Sequence, residues 1–186
     1  MAYGILNDEH LIAIGSAIRA KNNTTNTYKA SEMAAAINAL PSGDIEDELV
    51  ARTITNYSND RVTDVGAYAF YECNSLVTAK FANATFIWNN AFENCNYLTT
   101  VDLGSATVIA FRAFRWCSKL TTLILRRTDM MCDLNDTNAL SYTEIEDGTG
   151  YIYVPSALLS EYKADDNWKT YANQFRAIED YPSICG

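Results

Sequence analysis

The sequence predicts an α/β repeat protein: a short solenoid of 22-residue coils sharing a parallel sheet, preceded by an N-terminal helical hairpin and closed by a C-terminal strand–helix cap. Two observations predict it. AFYECNSL (69–76) returns as AFENCNYL (91–98) and AFRWCSKL (113–120), and seven columns hold the same 22-residue register without an insertion. Each coil then ends on a run such as Leu98-Thr99-Thr100-Val101-Asp102-Leu103, whose closing alternation is that of a strand with one buried face.

The totals agree with a folded chain. Its 186 residues suffice for one domain or a short capped array, and 48% are hydrophobic. Fourteen Lys and Arg against 23 Asp and Glu give a net charge of −9, so no basic field exists to attract nucleic acid or an anionic bilayer. No stretch approaches the roughly 20 apolar residues of a membrane span. Neither nucleic-acid binding nor membrane insertion is expected. The cysteine count is odd at five, and Asp8 and Glu9 interrupt any secretory pattern at the start, so folding in a reducing cytoplasm is expected.

Residues 1–40 read as a helical attachment segment. Leu11, Ile14 and Ile18 recur at helical spacing behind Asn7 as N-cap, with Arg19 and Lys21 at the C-terminal end of the dipole. Ser31 caps a second helix with Met33, Ala36, Ile37 and Leu40 on one face. The pair either packs on the next unit or forms a separate docking module. PSGDIEDE (41–48) reads as a linker. The array occupies 49–127, with LVARTITNYSNDR (49–61) as its opening strand and turn.

Within the array the repeat core is Phe70, Phe92 and Phe114; Cys73, Cys95 and Cys117; and Leu76, Leu98 and Leu120. Val65, Ile87 and Ile109 form a further apolar column, as do Ala79, Val101 and Leu123, then Phe81, Leu103 and Leu125. Thr78, Lys80, Thr100, Asp102, Thr122 and Ile124 project outward from the sheet, while Tyr71, Glu93 and Arg115 vary because solvent does not constrain them. A thiol repeated on an inward column is a small, polarizable core filler. A closed zinc shell needs four converging donors, and this row supplies three with no histidine nearby.

VGAYAFYECNSLVTAKF, with its AF-x-x-C-x-x-L core, resembles the BspA-like leucine-rich repeat of bacterial surface proteins and of many phage and prophage proteins, over residues 62–127. RRTDMMCDLNDTNALSYTEIEDG departs from the period and reads as an irregular coil and loop at the head of a C-terminal region spanning 128–186. GTGYIYVPSALLSEYKADDNWKTYANQFRAIEDYP is similar to the cap that closes such arrays. There Ile152 and Val154 add a last inward-facing strand and Pro155 ends the pairing; Leu158, Leu159, Tyr162, Trp168, Tyr171 and Phe175 lay helices over the open core. LIAIGSAIRAK and SEMAAAINAL are similar to the N-terminal helical segment of tail-associated proteins from phages of Gram-positive bacteria.

These resemblances imply a non-enzymatic virion structural protein, a tail fibre, tip or receptor-binding component assembled in the host cytoplasm. The N-terminal helices would join it to other tail proteins, and the solenoid would face a host cell-surface protein or glycan. Flat surfaces gain strength by repetition, so a homo-oligomer is expected, a trimer favoured. The alternative is a bacterial BspA-like surface adhesin or interaction module.

Residue chemistry points away from catalysis. The single histidine, His10, cannot build a triad or a multi-histidine site, and G-x-S-x-G, P-loop and G-x-G-x-x-G sequences are missing. Asp133, Asn135, Thr137, the Ala139 carbonyl, Ser141 and Glu144 fit a calcium-loop template, but Asn138 stands where its sharp-turn glycine belongs. Glu144, Glu146 and Asp147 read as a solvated acidic loop, because a repeat array offers no deep cleft to separate two carboxyl pKa values. No catalytic residue, metal or cofactor is expected. The outward strip of Thr78, Lys80, Thr100, Asp102, Thr122 and Ile124, continued by Tyr151 and Tyr153, suits sugars or protein partners, unless its tyrosines simply shield the sheet edge. Trp88 and Trp116 form no repeated ladder.

Overall fold

The computed structural model describes residues 55–185; the expected helices of 1–40, the linker 41–48 and the first residues of the array lie outside them. In chain order the strands are β1 (Asn56–Ser58), β2 (Asp64–Val65), β3 (Thr78–Phe81), β4 (Phe86–Ile87), β5 (Thr100–Leu103), β6 (Val108–Ile109), β7 (Thr122–Leu125), β8 (Asp133–Leu134), β9 (Tyr151–Val154) and β10 (Phe175–Ala177). β1 to β9 alternate between two parallel sheets, and β10 joins the larger one beside β9, giving β1-β3-β5-β7-β9-β10 and β2-β4-β6-β8. Asn56, Thr78, Thr100, Thr122 and Tyr151 pair in one row across the larger sheet. Repeated coils on parallel sheets with few helices fit a short repeat solenoid.

The smaller sheet is a structural addition to the sequence reading, which treats Val65, Ile87 and Ile109 as a core column only. Each of these residues ends a two-residue strand, and Leu134 continues the row. Two residues are too short a run to show alternation, so periodicity could not reveal them.

Between the sheets, the AF-x-x-C segments solve a backbone problem. They are irregular yet buried, and every buried N–H needs an acceptor. Alternate groups point along the axis: Asn90 N–H donates to Phe111 O (3.0 Å), Phe92 to Ala113 O (2.7 Å) and Asn94 to Arg115 O (3.0 Å). Those between donate within the coil, Glu93 to Asn90 O (3.2 Å) and Cys95 to Phe92 O (3.1 Å). The alternation requires left-handed residues in two columns: Tyr68, Asn90 and Arg112 (φ 60°, 58°, 55°), and Glu72, Asn94, Trp116 and Tyr142 (φ 56°, 64°, 63°, 63°).

Inside, Phe70 stacks on Phe92 at 4.9 Å and Phe92 on Phe114 at 5.1 Å. Cys73, Cys95 and Cys117 are buried, at 7%, 0% and 0% exposure. The Cys95 thiol donates to the Phe70 carbonyl (2.8 Å) and the Cys117 thiol to the Phe92 carbonyl (3.1 Å), so each ties its coil to the preceding one. A thiol supplies a weak donor without the hydration cost of a hydroxyl.

Residues 128–150, expected as an irregular coil and loop, form a fourth coil. Asp133 and Leu134 pair with β6, Phe114 N–H donates to Ala139 O (2.8 Å), and Trp116 N–H to Ser141 O (3.0 Å). Thr122 pairs with Tyr151, so this turn of the chain takes 151 − 122 = 29 residues instead of 22. The extra residues hide the repeat from a fixed-period comparison. Thr143, buried at 1%, stands in the thiol column and bonds its own coil's Leu140 carbonyl (2.7 Å).

The cap also differs in detail. Ile152 and Val154 are fully buried on β9, but β9 is not the final strand: β10 pairs beside it, Phe175 opposite Ile152. Phe175 therefore caps the core from a strand, not a helix. The helix α1 (Leu159–Ala164) brings Tyr162 over the end of the core, where it meets Trp168 and Phe175 at ring distances of 5.7 and 5.3 Å. Three buried polar groups under the cap find partners: Trp168 Nε1 donates to Cys132 O (2.7 Å), Cys132 N–H to Tyr162 Oη (2.7 Å) and Tyr171 Oη to Thr137 O (3.0 Å).

Two expected outcomes follow from this packing. Gly104 lies where coils approach closely, and an added Cβ would fall 2.1 Å from the Ala82 carbonyl oxygen. Gly104→Ala is expected to cost about 1–3 kcal/mol in a urea titration, because backbone cannot rotate aside as a side chain can. Burial also raises the pKa of Cys95, Cys132, Tyr162 and Tyr171. Unfolded thiols and phenols ionise near 8.5 and 10, so the unfolded chain loses these protons first. Stability from these groups is complete below about pH 8.5 and falls as pH rises beyond it. A melting temperature constant from about pH 7 to 8 and declining above about 9 is expected.

Candidate binding surfaces

The outer face of the larger sheet carries the row Thr78, Thr100, Thr122 and Tyr151, the threonines half-buried and Tyr151 37% exposed. Lys80 beside it is exposed. The rest of the expected strip needs correction. Asp102, Ile124 and Tyr153 do point to this face, yet they are 8%, 2% and 3% exposed. The chain's own end covers the apolar pair: Ile124 and Tyr153 cluster with Cys185 of helix α2 (Pro182–Cys185), and Ile178 and Tyr181 pack against them. Tyr153 and Tyr181 meet edge to face at 5.3 Å. Two adjacent apolar residues on an otherwise polar face favour such a cover. Asp102 is enclosed by ion pairing, taking the fork of Arg126 at 2.7 and 3.0 Å and Lys80 at 3.4 Å.

Deleting residues 178–186 is expected to raise binding of an apolar dye while the main unfolding transition remains, since that cluster is separate from the principal core. A shallow polar groove of about 380 Å³ beside this face is lined by Gly104, Ser105, Arg126, Arg127, Thr128 and Asp129. Its guanidinium groups are already committed, Arg126 to Asp102 and Arg127 to Asp129 (2.7 and 3.0 Å).

The turn side presents a different surface. Trp88, Tyr97, Phe111, Trp116 and Tyr142 are 43%, 53%, 39%, 39% and 49% exposed. Trp116 and Tyr142 stack in parallel at 3.7 Å, with the Arg115 guanidinium 5.5 and 5.6 Å from their centroids. Glu93 is not the free surface residue expected: it is 7% exposed, accepts the Asn90 amide and pairs with Arg115 at 3.4 Å. Lys119 lies over Tyr97 at 4.3 Å and Arg112 over Phe111 at 4.4 Å.

Trp116 and Tyr142 occupy the left-handed column in which Asn94 sits. That conformation costs a side chain with Cβ roughly 1–2 kcal/mol, and Asn meets it most readily after Gly. Ring stacking returns about 0.5–1.5 kcal/mol.

A family model described as BspA type leucine rich repeat region (6 copies) matches residues 52–151. The chain belongs to that family. No curated protein matches it. The family match extends past residue 127 to the start of β9, where the structure also carries the coils. This BspA-type array uses its acidic loop for its own architecture. Glu146 accepts Tyr142 N–H (2.6 Å) and the Ser141 hydroxyl (3.3 Å), while Glu144 takes the Thr149 hydroxyl. Members of the calcium template serve the fold: Asp133 lies in β8 and the Ala139 carbonyl accepts from Phe114, and among the described residues no three His, Cys, Asp or Glu groups converge.

Proposed function

We propose that this BspA-type repeat is a non-enzymatic interaction module that binds a protein or glycan of a cell surface through the turn side of its coils. The observation behind it is the half-exposed large aromatic side chains carried outside the strands, Trp116 stacked on Tyr142 among them, over a core whose Phe92, Cys95 and Leu98 are wholly buried. A stacked aromatic pair left in water gains apolar burial when a partner covers it.

The finer reading is a tail-associated component of a phage particle, present in several copies, a trimer favoured. Its support is the likeness of LIAIGSAIRAK and SEMAAAINAL to the N-terminal segment of such proteins. Residues 1–40 would attach the chain to other tail proteins and the coils would face the host. Particles purified from producing cells should contain the full chain, and soluble full chain should block their adsorption. A strict monomer that never sediments with particles and never binds cells would overturn this reading. A surface adhesin of the bacterium is the second reading, favoured by the family match; surface labelling of intact producing cells separates it from the first.

A further inference from the structure

Resting on that interaction role, we propose that the outer face of the smaller sheet docks a basic peptide segment of a partner protein, one apolar side chain between two cations. The pairing register brings Asp64, Phe86, Val108 and Asp133 into one row across β2, β4, β6 and β8. Each opens a strand whose second residue is buried, so the four side chains share the outer face. Phe86 and Val108 are half-buried in the middle of the row, and the aspartates at its two ends are exposed.

Trp88 enlarges the apolar centre. Its ring lies against Phe86 at 4.4 Å and stays 43% exposed. One coil earlier and one coil later the same position holds Gly66 and Ala110, so the coil itself does not require an indole there. A large aromatic side chain bordered by polar groups is the usual anchor of a peptide contact.

Charge selects the occupant. Asp64 accepts the Thr63 hydroxyl (3.1 Å), and among the described residues no cation pairs with Asp64 or Asp133. Of the cations nearest in sequence on the neighbouring coils, Arg61 forms no ion pair among the described residues and Arg112 lies over Phe111 at 4.4 Å. Beyond Asp133 the field stays negative: from residue 130 to 160 the chain has Asp133, Asp136, Glu144, Glu146 and Asp147 and no Lys or Arg. A neutral sugar would leave both end carboxylates unmatched, and an anion would be repelled.

Spacing sets the motif. Asp64 and Asp133 stand three strand spacings apart, roughly 14 Å. An extended peptide crossing the strands covers that length in about four residues and turns alternate side chains to one face. Cations at its first and fifth positions then meet the aspartates, and its third residue lies over Phe86, Trp88 and Val108.

The test titrates isotope-labelled full chain with blocked peptides and follows the β4 and β6 amide signals by NMR. Lys-Thr-Ile-Thr-Lys should shift those signals; Glu-Thr-Ile-Thr-Glu and a neutral gluco-oligosaccharide should leave them unmoved. Lys-Thr-Ser-Thr-Lys should bind about fivefold more weakly than the isoleucine peptide. Asp64→Asn and Asp133→Asn should each weaken the isoleucine peptide about threefold, the size of an exposed ion pair. Trp88→Ala should weaken it about tenfold with the melting temperature unchanged. The proposal is overturned if wild type binds no peptide, as it would were residues 1–54 to cover the face, or if the glutamate peptide or the sugar moves the same signals. Trp88→Ala that melts lower yet binds as before overturns it by making the indole structural. Self-association of the full chain that Asp64→Asn with Asp133→Asn abolishes would give the face to a second copy, and overturns it as well. Cell binding that persists undiminished in that double variant overturns this face and leaves the interaction role standing. Peptide binding without any binding to cells or particles supports the face and overturns that role.

Discussion

Replacing Phe92 with alanine is expected to destabilise the protein by about 3–5 kcal/mol, the range for emptying a well-packed aromatic site. Phe92 is wholly buried between Phe70 and Phe114 and touches Phe81 edge-on at 6.0 Å. Coils in such arrays are stabilised by their neighbours, so a cavity here weakens the interfaces on both sides of one coil. Collapse around the cavity is restricted, because the adjoining rings sit on backbone fixed by bonds between coils. Urea unfolding monitored by circular dichroism should show the midpoint fall steeply. A loss below about 1 kcal/mol would mean that the rings do not interlock as described.

Trp168→Ala should cost a similar amount, about 3–5 kcal/mol. Here two effects combine. The indole, 1% exposed, contacts Tyr162, Tyr171 and Phe175, and its Nε1 serves the buried Cys132 carbonyl. Trp168→Phe separates them: it keeps most of the apolar contact and leaves the carbonyl without that donor, at about 1–3 kcal/mol. An alanine variant no less stable than the phenylalanine one would show that the cap is loosely packed.

Much of this architecture could be read from the chain because its cause is periodic. Phe70, Phe92 and Phe114 repeat because each ring needs the next, and the Cys and Leu columns repeat for the same reason. The parallel rows through Thr78, Thr100 and Thr122 follow from that register. The fourth coil escaped because its 29-residue course, from 122 to 151, breaks the period while preserving the bonds between coils. Position on a strand also says which way a side chain points, not what lies over it. Ile124 and Tyr153 face outward as their alternation requires, yet a tail more than twenty residues beyond Tyr153 covers them. The Trp116–Tyr142 stack was hidden twice. Trp116 repeats no neighbour in the earlier coils, and its partner Tyr142 lies in the coil whose register was obscured.

The stacking of coils around buried thiols is tested most directly by the reactivity of Cys95, Cys117 and Cys132 in the native full-length protein, followed peptide by peptide with a small alkylating reagent. These thiols are at most 1% exposed, and burial pushes Cys95 and Cys132 away from the reactive thiolate. All three should remain unlabelled in buffer at neutral pH for as long as the protein stays folded, and label fully in denaturant. Labelling of Cys95 and Cys117 in buffer at the rate seen in denaturant, or their protection only while a metal ion is bound, would contradict the stacked core.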